Sequence, residues 1–195
     1  MHLSGQILMA LSLIGFLGCN NRQTALTVAA IPELHMVPLS QISVSGTANR
    51  PDIPLTRTID GNLNTFMSTV SLNLGDTKTI IYKFSKVIDL KEIRFYENYV
   101  ESTIGDLNGP DGAMATYNLG DMIIRGSMNS SDGTDGTWFD LASLTHKTQT
   151  FFRGDGAVSF ESAETRWVKL EMTYNGDGAF GGTPSFYLSE IEFYE

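Results

Sequence analysis

Oxygen-bearing side chains are concentrated between positions 60 and 65, where the chain reads Asp-Gly-Asn-Leu-Asn-Thr. Carboxylate, amide and hydroxyl oxygens are the ligands that Ca²⁺ takes in numbers of about six to eight. Asp60, Asn62 and Asn64 match positions 1, 3 and 5 of an EF-hand loop, but position 6 is Thr65 and position 12 is Ser71. The segment is therefore not an EF-hand. It is either a calcium loop of another kind or an ordinary tight turn.

The last predicted strand carries two carboxylates that do not fit a regular alternation. Glu190 and Glu192 lie two positions apart and share one face of a strand. Leu188, Ile191 and Phe193 cannot all occupy the opposite face, so the alternation must break within this strand. A carboxylate turned toward the interior needs a cation or several donors, because an unpaired buried charge costs several kcal/mol. This indicates a metal at Glu190, unless Glu190 faces solvent.

Phe180 is the residue best suited to a sugar site, because it lies in a glycine-rich segment with few neighbours to bury it. Sugar recognition needs an exposed aromatic ring for the apolar face of a pyranose and planar polar groups for its hydroxyls. The alternative is a loop phenylalanine folded back onto the core. Tyr99, Asn175, His146 and Arg153 are candidate polar or stacking partners, although no motif places them and each is otherwise an ordinary surface residue.

The sequence Phe151-Phe152-Arg153 offers a different chemistry, since apolar residues beside a basic one can touch an anionic lipid surface. The formal net charge of −9 argues against this function. A phenylalanine that faces inward from a strand explains the same residues.

Enzyme signatures are missing from the sequence. It contains no GxSxG elbow, no HExxH pair and no phosphate-binding P-loop, and His146 is the only histidine after position 39. A pair of carboxylates for glycoside hydrolysis stays open, because the separation of such a pair is spatial. An acidic surface also supplies such pairs by chance.

Composition narrows the class of protein. A chain of 195 residues has room for one domain with a well-buried core. Thirteen Lys and Arg against 22 Asp and Glu exclude nucleic acid as a partner, since binding to phosphates requires basic residues. A single cysteine allows no internal disulfide, so an exported domain must be stabilised by its core or by a bound metal such as calcium.

The N-terminal residues predict export. Positions 7–17 form an apolar run that is too short to span a bilayer and is followed by Gly18 and Cys19. This arrangement is similar to the lipobox of bacterial lipoproteins, although Phe16 replaces the usual Leu. We therefore expect cleavage before Cys19, a lipid on its sulfur, and a membrane-anchored location at the cell surface or facing the periplasm. The alternatives are an ordinary signal peptide and a short membrane-associated helix.

The remaining chain predicts a tether at 20–39 and one domain of short β-strands at 40–195. Segments rich in branched and aromatic residues alternate with Gly, Asn and Asp turns, which is typical of an antiparallel sandwich or jelly roll. A shift in spacing between Leu90 and Ile93 predicts a bulge. Trp138 is predicted to be a core residue. The predicted strands are Thr79–Phe84, Val87–Tyr96, Leu119–Met128, Thr137–Leu144, Ala157–Phe160, Arg166–Tyr174 and Phe186–Tyr194.

Several segments occur in an order that is typical of one family. They are Ile59–Ser68, Val87–Phe95, the pair Gly126–Met128 and Thr137–Leu141, and the closing pair Arg166–Leu170 and Leu188–Tyr194. Together they resemble the discoidin, or coagulation-factor C-terminal, domain family over about residues 41–195. The usual Trp of the first segment is Met67 here. The resemblance implies an all-β, antiparallel jelly-roll β-sandwich of the galactose-binding-like type.

The resemblance also implies a metal site and a function. Many members hold a structural calcium, which here would use Asp60 and Glu190 as carboxylate ligands and Thr65 and Asn62 as further oxygen donors. The expected function is non-catalytic binding of a glycan or glycoconjugate by a lipoprotein that contacts the membrane only through its lipid. The alternatives are a protein-interaction or structural module of a surface assembly, with a protein partner, and a small hydrolase.

Overall fold

The computed structural model describes residues 33–48, 50–69, 72–96, 121–145, 156–174 and 186–195. Within these ranges the chain forms β-strands and two short 3-10 turns, and it contains no α-helix. No helix in the described ranges is long and apolar enough to cross a membrane. The turns are Leu39–Gln41 and Leu55–Ile59, and the strands are β1 (Ile42–Gly46), β2 (Met67–Ser68), β3 (Thr77–Tyr96), β4 (Asp121–Ser127), β5 (Phe139–Leu144), β6 (Gly156–Thr173), β7 (Tyr187–Leu188) and β8 (Glu190–Tyr194).

The strands are antiparallel and are organised around the long strands β3 and β6. The main sheet has the order β1-β3-β6-β4-β5, β8 pairs with β3, and β2 pairs separately with β7. Residues 77–83 of β3 pair with the second half of β6, and residues 88–95 pair with the first half. The β3–β6 ribbon therefore has two halves that belong to different parts of the fold.

Register shifts mark the places where the ribbon bends. One lies between Lys83 and Ile88, and a second lies between Leu90 and Glu92. The second shift confirms the bulge predicted between Leu90 and Ile93. Val87 is exposed at the first bend, whereas Ile88 and Leu90 return to the core. Bulges of this kind change the direction of a strand and increase its twist.

Aromatic packing holds the two halves face to face. The ring of Phe193 in β8 lies 5.0 Å from that of Tyr82 and 5.1 Å from that of Phe84, in edge-on geometry. Phe193 pairs with Ile93 in the second half of β3, while Tyr82 and Phe84 belong to the first half. The two halves thus form opposing layers of a β-sandwich, with these side chains in the buried core.

The folded part includes the end of the segment predicted as a tether. Backbone hydrogen bonds join His35 to Glu195 in both directions at 2.9 Å, and the Val37 amide donates to the carbonyl of Phe193 at 2.8 Å. Val37 is fully buried. The predicted tether at 20–39 therefore extends too far, because residues 35–37 pair with β8 instead of remaining independent of the domain.

Trp138 is not a core residue, contrary to the prediction. Its indole N–H donates to the carbonyl of Asp135 at 2.8 Å within its own turn, so the polar edge needs no interior partner. The Lys169 ammonium lies 4.0 Å from the centroid of its ring. Lys169 belongs to the outer face of β6, because its neighbours Val168 and Leu170 point into the core. Trp138 therefore packs half-buried on the outside of the main sheet.

Candidate functional site

The 60–65 segment forms a loop closed by its own side chains. The Asp60 carboxylate accepts hydrogen bonds from the Asn62 amide at 2.9 Å and from the Thr65 hydroxyl at 2.7 Å. The Asn62 side-chain oxygen accepts from the Asn64 amide at 3.0 Å. Gly61 has a φ of +73°, which other residue types rarely adopt. The predicted ligands Asp60, Asn62 and Thr65 are thus held together in one turn.

This loop contacts the start of the closing strand. The Gly61 amide donates to Glu190 Oε2 at 3.0 Å. The Ser189 hydroxyl lies 2.8 Å from the Thr65 carbonyl and 3.3 Å from that of Leu63, to which it donates. All four residues predicted as metal ligands therefore lie in one region, although 125 positions separate Thr65 from Glu190.

Glu190 is a buried carboxylate with an unsatisfied oxygen. The residue is 2% exposed, and its Oε1 has no hydrogen-bond partner in the described part of the chain. Burial raises its pKa to about 7, and repulsion from Asp60 and Glu192 acts in the same direction. Hydrogen bonds from the backbone of Gly61 and Asn62 lower the pKa but do not offset the burial. The ionised form therefore lacks a compensating positive group.

These residues fit a hard cation that would complete the site. A cation would supply the missing partner of Glu190 Oε1 and offset the repulsion between the carboxylates of Glu190 and Asp60. No three His, Cys, Asp or Glu residues cluster as a metal site within the described ranges. A cation here would consequently depend on amide, hydroxyl and carbonyl oxygens for its remaining ligands, as calcium does and zinc does not.

Two supporting residues were missed by the sequence analysis. The buried Tyr82 hydroxyl donates to Thr58 Oγ1 at 3.0 Å, and the Thr58 hydroxyl donates to the carbonyl of Leu55 at 2.8 Å. Burial raises the pKa of Tyr82, and the charge of Glu190 raises it further. This chain of hydrogen bonds fixes the Leu55–Ile59 turn against the core directly before Asp60. Thr58 stands in an unremarkable TRTI sequence, so no local signal marked its role.

The predicted glycan residues Phe180, Tyr99, Asn175, His146 and Arg153 lie outside the described ranges, as does the Phe151-Phe152 pair. They belong to three chain segments, 97–120, 146–155 and 175–185.

The described strand ends show where those segments attach. Asp121 pairs with Thr173, and the neighbouring Met122 pairs with Leu144. The end of segment 97–120 and the beginnings of segments 146–155 and 175–185 are therefore attached at adjacent positions along one end of the main sheet.

Comparison with solved structures identifies the architecture. The family 32 carbohydrate-binding module of Clostridium perfringens NanJ, in complex with galactose, superposes with a TM-score of 0.60 at 16% identity, covering 84% of this chain and 100% of that one. The fold is a galactose-binding-like β-sandwich. No protein-family model matches the chain, and no curated protein matches it in sequence.

Other solved sandwiches of this galactose-binding-like type are similar. A second Clostridium perfringens module, CBM32-5, was solved with GalNAc-β-1,3-galactose and has a TM-score of 0.58 at 15% identity, covering 83% of this chain and 100% of that one. Chitosan-binding module 1 of a Paenibacillus chitosanase/glucanase has a TM-score of 0.58 at 16% identity, covering 82% of this chain and 99% of that one. These structural neighbours are carbohydrate-binding modules, and some of them are parts of enzymes.

Proposed function

We propose that this protein is a non-catalytic glycan-binding module, displayed at a bacterial surface by a lipid anchor at Cys19. The observation that carries the proposal is that the end of segment 97–120 and the beginnings of segments 146–155 and 175–185 are attached along one end of the main sheet of a galactose-binding-like sandwich. Loops placed together on a rigid scaffold are where proteins of this architecture can vary their ligand contacts. The glycan complexes of the structural neighbours support the same function.

The proposed platform is Phe180, with Tyr99, Asn175, His146 and Arg153 as its polar and stacking partners. A pyranose presents an apolar face to an aromatic ring and hydroxyls to planar polar groups. All five residues belong to the three segments that attach at the end of the sheet. Galactose and GalNAc termini are the first glycans to test, because they occur in the complexes of the structural neighbours.

Removal of the proposed platform should abolish glycan binding. We expect Phe180→Ala to lose retention on immobilised glycan, because the pyranose loses its aromatic surface. The matched control is Phe139→Ala, which removes a 38% exposed phenylalanine from the edge strand β5 and should bind normally. Pull-down on glycan resin measures both variants. Unchanged retention of Phe180→Ala would contradict the platform, and retention by neither the variants nor the parent protein would contradict the function.

Calcium is the cation that we propose for the 60–65 loop and Glu190. Asp60 and Glu190 would supply the carboxylate oxygens, with Asn62 and Thr65 as further donors. The unpartnered Oε1 of a 2% exposed Glu190 supports this proposal. A bound cation would connect the loop to the closing strand, next to Tyr96, which pairs with Glu190 and directly precedes segment 97–120.

Mass spectrometry of the native N-terminus tests the anchor. We expect a processed chain that begins at an acylated Cys19, because the apolar run before it resembles a lipoprotein signal. A Cys19→Ser variant should remain unprocessed, retain the apolar run at positions 7–17 and carry no lipid. Native protein that retains Met1, or that begins elsewhere without a lipid, would contradict the anchor.

A further inference from the structure

Trp138 lies on the outer face of the main sheet and is partly exposed. The Lys169 ammonium lies 4.0 Å from the centroid of its ring. Because the Lys169 side chain is only 13% exposed, its ammonium lies between the ring and the sheet. Within the described residues, no second aromatic ring packs against Trp138. The opposite face of the indole therefore points away from the sheet, where a ligand can stack on it.

The turn that carries Trp138 is fixed by hydrogen bonds. The Asp135 carboxylate accepts hydrogen bonds from the amide and from the hydroxyl of Ser131, each at 2.7 Å. The Asn129 side-chain oxygen accepts a hydrogen bond from the Thr137 amide at 2.8 Å. The indole N–H of Trp138 is bound within the same turn. The ring therefore has little conformational freedom to lose when a ligand stacks on it.

Paired ions lie beside Trp138 on the same face of the sheet. Arg125 in β4 pairs with Lys169 in β6, and Asp140 in β5 pairs with Arg125. Arg125 Nε donates to Asp140 Oδ1 at 2.8 Å, and Arg125 Nη1 donates to Glu171 Oε2 at 2.6 Å. These contacts use two of the five N–H donors of a guanidinium. The other donors, and the second oxygen of the 68% exposed Asp140 carboxylate, can bind hydroxyl groups.

The chemistry of this surface favours a neutral sugar. Lys169 and Arg125 are balanced by Asp140 and Glu171, so the four side chains carry no net charge that would hold an ionic ligand. A pyranose presents an apolar face to an aromatic ring and hydroxyls to planar polar groups. An extended peptide would instead need a free sheet edge. Both β4 and β6 are paired with strands on their two sides.

We propose that Trp138, Arg125 and Asp140 form a second glycan-binding site, called here the outer-face site, for one pyranose unit of a neutral glycan. It is separate from the site proposed around Phe180, and the choice of a glycan as its ligand rests on that proposed function. A flat surface that contacts one sugar unit buries little of it, so the affinity is expected to be low. The outer-face site therefore does not retain the protein on a glycan resin by itself.

The outer-face site lies near the loop end of the main sheet. Lys169, beneath the ring of Trp138, is four residue steps from Thr173, which is roughly 13 Å along β6. Thr173 pairs with Asp121, where segment 97–120 ends. A long glycan bound at this end can therefore extend along the outer face to Trp138. Such bivalent contact strengthens the retention of long glycans without raising the affinity for a single sugar.

Heteronuclear NMR of the tryptophan indole N–H groups tests the outer-face site directly. The chain has two tryptophans, and the 4% exposed Trp167 serves as an internal reference for Trp138. On titration with galactose or with GalNAc-β-1,3-galactose, we expect the Trp138 signal to shift saturably and the Trp167 signal to stay in place. The same shift should occur in Phe180→Ala, because the outer-face site does not include Phe180.

Variants of the ion pair separate sugar recognition from simple packing. We expect Asp140→Ala to weaken galactose binding, measured from the Trp138 signal, by roughly fivefold, because the sugar loses a hydrogen bond to a charged group. The matched control is Asp52→Ala. It removes an exposed carboxylate that also pairs with an arginine at 2.8 Å, and it should bind normally.

Column retention tests the contribution of the ring to long glycans. Trp138→Ala should elute earlier than the parent protein from a resin that carries galactose polymers, because one of the two contacts is lost. Trp138→Phe keeps an aromatic ring and should elute between them. Identical elution of Trp138→Ala and the parent protein would contradict bivalent binding.

Four NMR results would overturn the outer-face site. The first is a Trp138 signal that moves with neither sugar, and the second is equal galactose affinity in Asp140→Ala and Asp52→Ala. The third is a shift that disappears in Phe180→Ala, since it would then come from the other site. The fourth is an equal response to cyclohexanol, whose apolar ring lacks neighbouring hydroxyls. Failure of the Phe180 site alone would leave the Trp138 shift in place, and failure of the outer-face site alone would leave retention on glycan resin.

Discussion

Calcium is expected to raise the melting temperature of this protein by roughly 10 °C, and EDTA should reverse the increase. A ligand that binds only the folded state at 1,000 times its Kd stabilises that state by about 4 kcal/mol. In a domain of this size, 1 kcal/mol changes the melting temperature by about 2–4 °C. Calcium would bind only the folded state, because Asp60 and Glu190 come together through the contact of Gly61 with Glu190.

Variants of the loop separate a specific site from a general effect of calcium on an acidic protein. Asp60→Ala and Asp60→Asn should both lose the response, and Asp60→Asn keeps an oxygen that can accept the Asn62 amide. The control is Asp52→Ala, which removes an exposed carboxylate that pairs with Arg50 at 2.8 Å and should respond normally. Differential scanning calorimetry measures these shifts. A response retained in both Asp60 variants, or absent from the parent protein, would contradict the calcium site.

Without calcium, the free energy of unfolding should fall as the pH rises from about 4.5 to 7. Burial raises the pKa of Glu190 from its ordinary value of 4.5 to about 7, so the folded state holds this proton more tightly than the unfolded state does. The free energy of unfolding is therefore greatest below the pKa that Glu190 has in the unfolded state. It falls as the pH rises through the pKa that Glu190 has in the folded state. A pKa shift of this size changes the free energy of unfolding by roughly 3 kcal/mol at most.

Urea denaturation in EDTA at several pH values measures this dependence. Glu190→Gln should remove most of the decline, because the amide cannot ionise. Glu164→Gln, on β6, serves as a control and should show the same decline with pH as the parent protein. With saturating calcium the slope should reverse, since the cation binds the ionised carboxylate. A decline of the same size in Glu190→Gln would show that another group is responsible.

Much of the sandwich was accessible from sequence because its strands carry strong local signals. The branched and aromatic segments Thr79–Phe84 and Val87–Tyr96 were each predicted as strands, and the bulge after Leu90 was predicted from their spacing. The structure joins them into one strand, Thr77–Tyr96. A sequence pattern does not reveal that pairing with β6 continues around the bend between Lys83 and Ile88.

The closing strand shows how a broken pattern can be informative. Its irregular alternation predicted a phase break, and the structure divides the segment into β7 and β8 at Ser189. Both Ser189 and Glu190 are buried at this break. The unpartnered oxygen of Glu190 could be identified only from the three-dimensional structure, because its possible hydrogen-bond partners lie more than a hundred positions away in the sequence.

Trp138 shows the limit of motif-based placement. A tryptophan at the start of a hairpin strand is a reasonable core candidate, since its ring is large and apolar. Its partner Lys169 lies on β6, and only the pairing of the strands brings the two side chains together.

A glycan array probed with the purified protein in saturating calcium tests most directly whether this chain is a glycan-binding module. We expect retention on galactose- or GalNAc-terminated glycans, with every bound glycan recovered intact. Absence of retention on all glycans, or release of cleaved sugar from the array, would contradict a non-catalytic glycan-binding function.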